Sequence, residues 1–122
     1  MRYGGGDAVP MKPSQRAAAD EFATYYATER GQHRRSHALS LTSLGAITAF
    51  MPLAQVELTT PRPLLLVAGE DAHSRYYTED AYAQAPEPKE LHIVPGAGHV
   101  DLYDQVDLIP WDSLNGFFDE NL

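Results

Sequence analysis

An unbroken apolar run, Pro63, Leu64, Leu65, Leu66, Val67 and Ala68, stands between Pro61 and Gly69. A run this short has no polar face to offer water, so it cannot be an amphipathic surface element. It reads as a strand buried on both faces, the habit of parallel sheets covered by helices on both sides. A short helix is expected next, roughly Ser74 to Gln84, with Tyr76, Tyr77, Ala81 and Tyr82 toward one side. Leu91, His92, Ile93 and Val94 then make a second strand, stopped by Pro95 and Gly96. A last helix begins near Pro110 or Asp112, where Trp111, Leu114, Phe117 and Phe118 fall on one stripe and form a docking face. Strand, helix, strand, helix is the order of a parallel crossover unit, with both strands ending on the same rim. The expected fold class is therefore α/β, two parallel strands with flanking helices.

The chain before residue 61 has a different texture. Residues 1 to 13 hold Gly4 to Gly6, Pro10 and Pro13, and read as a flexible lead-in. Ser14 stands where a helix cap is wanted, and Ala18, Phe22, Tyr25 and Tyr26 suit an amphipathic helix from about Gln15 to Arg30, closed by Gly31. A polar loop, Gly31 to His37, leads to a second helix that starts after Thr42 or Ser43 and runs to about Met51, ended by Pro52. Residues 14 to 60 thus form a helical connecting or cap-like segment, and residues 61 to 122 the strand–helix–strand–helix unit.

Composition removes several function classes. With 9 basic against 17 acidic residues the formal charge is −8, which opposes nucleic acid and anionic membranes alike. Cysteine is absent, so disulfides, thiolate metal sites and cysteine nucleophiles are excluded together. No stretch has the roughly 18 apolar residues of a membrane span, and the N-terminal MRYGGGDAVP lacks a signal-peptide core. The cytoplasm is the expected compartment. No phosphate loop is present, because the triple glycine lacks a following Lys-Ser or Lys-Thr. Neither a cofactor nor a metal is expected.

Two loops leave the C-terminal ends of the expected strands: AGEDAHS (Ala68 to Ser74) and PGAGHVDLYD (Pro95 to Asp104). Neighbouring strands lie about 4.8 Å apart, so Asp71 or Glu70 on the first loop can face His99 on the second. A carboxylate that accepts the Nδ1–H of an imidazole fixes its tautomer and stabilises the imidazolium formed when Nε2 takes a proton. Gly96, Ala97 and Gly98 leave space around that histidine.

The stretch RPLLLVAGEDAHSRYYTEDAYAQAPEPKELHIVPGAGHVDLYD (Arg62 to Asp104) resembles the closing part of the α/β-hydrolase fold, in its dienelactone-hydrolase-like branch. It is more distantly similar to Xaa-Pro peptidases. TERGQHRRSHALSLTSL (Thr28 to Leu44) resembles the connecting segment of that branch, and the likeness spans roughly residues 20 to 121. The resemblance implies ester, lactone or peptide hydrolysis by a serine–acid–histidine triad, with His99 as its histidine and Asp71 as first choice of acid. Relatives place the acid three residues after the loop glycine, which here is Ala72, so Glu70 stays open.

The same family needs a serine on a G-x-S-x-G elbow. None of Ser14, Ser36, Ser40, Ser43, Ser74 and Ser113 has glycines two before and two after. The expectation is a C-terminal portion of such an enzyme without its nucleophile or oxyanion loop, inactive alone. Loss of a triad nucleophile costs on the order of 10⁶ in turnover. The alternative is a non-catalytic interaction or remnant protein that uses the half-fold as a scaffold. A third reading, an unrelated small α/β binding domain, requires His99 to lie far from both Glu70 and Asp71.

Asp101 and Asp104 near His99 are taken as solvated acids rather than metal ligands. His33 and His37 belong to a surface turn, and His92 is packed or partly exposed. The pairs Tyr25–Tyr26 and Tyr76–Tyr77 are helix packing with one ring turned outward. Two strands make a poor sheet, so dimerisation, docking onto a second chain that supplies the other half, or marginal stability is expected. A small-molecule substrate is expected only in the completed enzyme.

Overall fold

The computed structural model describes residues 12 to 34 and 41 to 122. Most of the expected lead-in, and His37, lie outside the described residues. Two strands, β1 (Leu64–Gly69) and β2 (Lys89–Val94), pair in parallel as a two-stranded sheet, Leu64 opposite Lys89 and Gly69 opposite Val94. Helix α3 (Arg75–Gln84) makes the crossover between them. The other helices are α1 (Pro13–Tyr26), α2 (Leu41–Ala49) and α4 (Trp111–Asn121). The 3₁₀ turns Val56–Thr59 and Asp101–Tyr103 complete the order. Among the described residues no helix is long and apolar enough to cross a membrane.

Two polar side chains show how the helices lie on the sheet. Lys89 donates from Nζ to the carbonyls of Tyr82 (2.7 Å) and Ala85 (2.8 Å), and its ammonium sits 4.7 Å from the centre of the Tyr82 ring. It thus satisfies carbonyls that the end of α3 leaves free. His92 Nδ1 shares a 3.0 Å hydrogen bond with Ser113 Oγ on α4. Residues three apart on a strand point to opposite faces. Helices α3 and α4 therefore cover opposite faces of the sheet.

The core is built of small side chains. Ala68, Ala72, Ala81, Ala85, Val94, Ala97 and Val100 are buried, clustered around α3 and the C-terminal ends of the strands. Burial of the apolar run is less complete than its sequence implies: Leu64 to Val67 are only half-buried. With two strands, the edge of β1 away from β2 has no neighbour among the described residues, and no helix fully covers its leucines. The aromatic stripe of α4 departs from expectation in the same way. Trp111 and Phe118 are about half exposed, at 49% and 52%, and no residue of α4 is buried.

Element ends moved for local reasons. Helix α1 starts at Pro13 rather than after Ser14, because proline at a first helical position loses no hydrogen bond. The Gln15 side chain accepts the Lys12 N–H at 3.0 Å. The helix stops at Tyr26, short of Arg30. The Thr28 hydroxyl takes the Thr24 carbonyl at 2.6 Å, and the Gly31 N–H closes on the Tyr25 carbonyl at 3.1 Å. Tyr76 and Tyr77 are both exposed and stack on each other at 4.1 Å, where one outward ring was expected.

Two glycines in these elements face opposite surroundings. A Cβ on Gly69 would collide with the Ala97 carbonyl and reach the Gly98 carbonyl at 2.8 Å, whereas one on Gly116 would meet nothing within 4 Å. Gly69→Ala is expected to cost about 3 kcal/mol, the upper end for overpacking, since the obstacle is backbone. Gly116→Ala is expected to stabilise α4 by about 0.5 to 1 kcal/mol. Urea unfolding of both variants checks the pair; equal effects would show that loops 69–72 and 96–98 do not pack as described.

Candidate functional site

The strand pairing continues past the ends of β1 and β2 into both loops. The Glu70 N–H donates to the Val94 carbonyl (2.8 Å) and the Asp71 N–H to the Ala97 carbonyl (3.0 Å). Gly96, at φ +67°, makes the left-handed turn that brings the histidine loop back over the sheet. The Gly98 N–H then bonds Asp101 Oδ2 at 2.9 Å and shapes the turn that presents His99.

His99 is half-buried and has a hydroxyl at each ring nitrogen. Nδ1 shares a short hydrogen bond with Ser74 Oγ, and Nε2 lies 3.1 Å from the Tyr103 hydroxyl. The His73 ring lies 4.8 Å away, tilted by 36°, and Phe22 sets its edge against both imidazoles at 5.2 Å. Burial, with a second contribution from His73, pushes the His99 pKa below that of free imidazole, against an opposing pull from Glu21. The surroundings thus favour the neutral ring, the form able to accept a proton. Burial, aided by Tyr26 and Tyr25, pushes the Tyr103 phenol up, so it stays protonated.

A cleft of about 380 Å³ opens beside this ring, lined among others by Val67, Gly69, Ser74, His99, Tyr103 and Leu114. It lies at the C-terminal ends of the strands, where open α/β sheets gather ligands. Among the described residues there is no group of three or more His, Asp or Glu side chains arranged to hold a metal.

The acid loop and the histidine loop are brought together; the expected acids and the imidazole are not hydrogen-bonded. Glu70 Oε2 accepts the Gly96 N–H at 3.2 Å. The exposed Asp71 side chain makes no hydrogen bond or ion pair among the described residues. Its backbone is pinned to Ala97, and the side chain that reaches Nδ1 comes three residues later, from Ser74 at the start of α3.

Contacts from α1 and the chain just after it complete the surroundings. Glu21 Oε1 accepts the backbone N–H groups of His99 (a short contact) and Val100 (3.2 Å), and Oε2 lies 3.0 Å from His73 Nδ1. Arg30 grips Asp104 with two nitrogens, at 2.6 and 2.9 Å, and touches Asp101 at 3.3 Å. Asp101 and Asp104 are thus ion-paired rather than merely solvated. Arg30 holds the Asp104 carboxyl below the usual carboxylate range, and the two acids hold Arg30 firmly charged. His33 is exposed and His92 half-buried, as a surface turn and a packed strand residue should be. Sequence offers Ser74 only as a serine without an elbow, and gives Tyr103, Glu21 and Arg30 no role beside His99. Tyr103, one turn beyond His99, carried a local signal; Glu21, 78 residues away, carried none.

No family model matches the chain. It is 50% identical over 106 residues to a Pseudomonas aeruginosa protein described as uncharacterized protein PA2218, covering 84% of this chain and 29% of that protein. It is 37% identical over 101 residues to an Escherichia coli protein described as uncharacterized protein YcjY, covering 79% of this chain and 33% of that one. The crystal structure of PA2218 superposes with a TM-score of 0.80 at 45% identity, covering 99% of this chain and 36% of the solved one. The chain therefore spans about a third of the length of the curated relatives it matches.

The lowered His99 pKa has a definite linkage. Its folded-state value lies below its unfolded one, so the unfolded chain takes up the proton first and stability falls as pH drops through the ordinary imidazole range. The urea midpoint is expected to decline from about pH 7 to about pH 5, and His99→Gln to flatten that decline. An unchanged slope in the variant would mean that the ring is not held neutral by its surroundings.

Proposed function

We propose that these 122 residues are the later part of an α/β-hydrolase of the dienelactone-hydrolase-like type, carrying the triad histidine, His99. One observation carries the reading: parallel β1 and β2 end on one rim, where the acid loop is hydrogen-bonded to the histidine loop and the His99 imidazole lines a cleft. In the completed enzyme His99 Nε2 takes the proton of a serine hydroxyl as it attacks an ester, lactone or peptide carbonyl. The imidazolium then gives that proton to the leaving group. The serine elbow and oxyanion donors come from sequence outside these residues, and the greater length of the relatives leaves room for them. Asp71 is the proposed acid and Glu70 the alternative; either must turn toward Nδ1 and displace the Ser74 hydroxyl. The half-buried β1 and its open edge are where the completing part, on the same polypeptide or a second one, adds to the sheet.

A second reading, a non-catalytic interaction or remnant protein, is favoured by the two hydroxyls already on His99 and by the outward Asp71. Grafting decides between them. The 122-residue chain alone is expected to show no turnover of chromogenic esters or lactones above buffer. Exchanged for the matching third of the Pseudomonas aeruginosa relative, it is expected to support serine-probe-sensitive hydrolysis that His99→Ala lowers by on the order of 10⁶. A chimera that is active but indifferent to His99→Ala, or probe-sensitive turnover by the chain alone, contradicts the proposal.

A further inference from the structure

The side chain most closely engaged with the histidine loop comes from the far end of the described chain. Glu21, with 22% of its side chain exposed, spends both carboxylate oxygens there: Oε1 on the His99 and Val100 N–H groups, Oε2 on His73 Nδ1. Its neighbour Phe22 closes the same side of both imidazoles. A Cβ on Gly98 would stand 2.6 Å from Glu21 Oε1, so any larger residue there would push this carboxylate aside. A half-buried carboxylate that accepts two successive backbone N–H groups fixes the turn that aims the imidazole.

The other charged and titratable groups around the ring do not duplicate this. From the loop before α3, Glu70 is engaged with Gly96, Asp71 faces solvent, and His73 is itself held by Glu21. From the 3₁₀ turn, Tyr103 presents a neutral hydroxyl, and Asp101 is paired with Arg30. From α1, Tyr25 packs against Tyr103. We infer that Glu21 is the positioning residue of His99: it holds the histidine loop and places a fixed negative charge beside the imidazole. The inference deepens the proposed function, and rests on it in taking His99 as the proton-transfer group.

NMR titration of the 122-residue chain tests it without needing turnover. Glu21→Gln keeps an acceptor oxygen and removes the charge. It is expected to leave the His99 and Val100 amides protected while the imidazole titrates about 0.5 to 1 pH unit lower. Glu21→Ala removes the acceptor as well, and those two amides are expected to exchange at least about 10-fold faster. An unmoved His99 titration in Glu21→Gln, or one that rises toward free histidine, overturns the inference and leaves Glu21 a packing residue. If Glu21→Ala does not fold, the near-isosteric Glu21→Gln still decides. A chimera indifferent to His99→Ala would end the hydrolase reading but leave this titration as it is, so the two failures are distinguishable.

Discussion

The main-chain pairing of β1 with β2, carried on by Glu70 to Val94 and Asp71 to Ala97, is the constraint on which the other features depend. It converts two loops 25 residues apart in sequence into one rim, so that Ser74 can bond His99. The close approach requires Gly69, because the Ala97 carbonyl occupies the space of a side chain there. The buried residues Ala68, Ala72 and Ala97 gather at the same junction. Small side chains there let the backbones approach closely and leave little volume for a larger core.

A second set of contacts ties the early chain to this rim. Arg30 reaches Asp101 and Asp104, Glu21 reaches the His99 and Val100 amides, and Tyr25 packs on Tyr103. Much of this is polar and partly exposed, so each contact is worth little alone, and their convergence on one six-residue turn is what gives it shape. The segment read as connecting or cap-like therefore takes a direct part in the histidine's surroundings.

Incomplete burial accompanies this local order. The leucines of β1 and the aromatic face of α4 keep much of their surface, and Phe50, Met51 and Tyr77 are more exposed still. The chain matches about a third of its relatives' length, and among its described residues the outer edge of β1 is unpaired, a surface able to accept a further strand.

What the amino-acid sequence determined by itself was the local and periodic part. The apolar run at 63–68, the alternation of strand and helix after it, and the glycine turn ahead of His99 all follow from backbone preference and patterning. The parallel pairing was legible because few topologies suit strand–helix–strand. The partners of His99 were not. Reading two carboxylates on a nearby loop shows that they can reach the ring, yet which way a side chain turns depends on where its backbone is pinned. Asp71 faces solvent, its N–H committed to Ala97, while Ser74 meets Nδ1 from the start of α3. Glu21 and Arg30 lay beyond any sequence signal, since their contacts with the histidine turn span more than 70 residues and exist only once the early chain has folded over that turn.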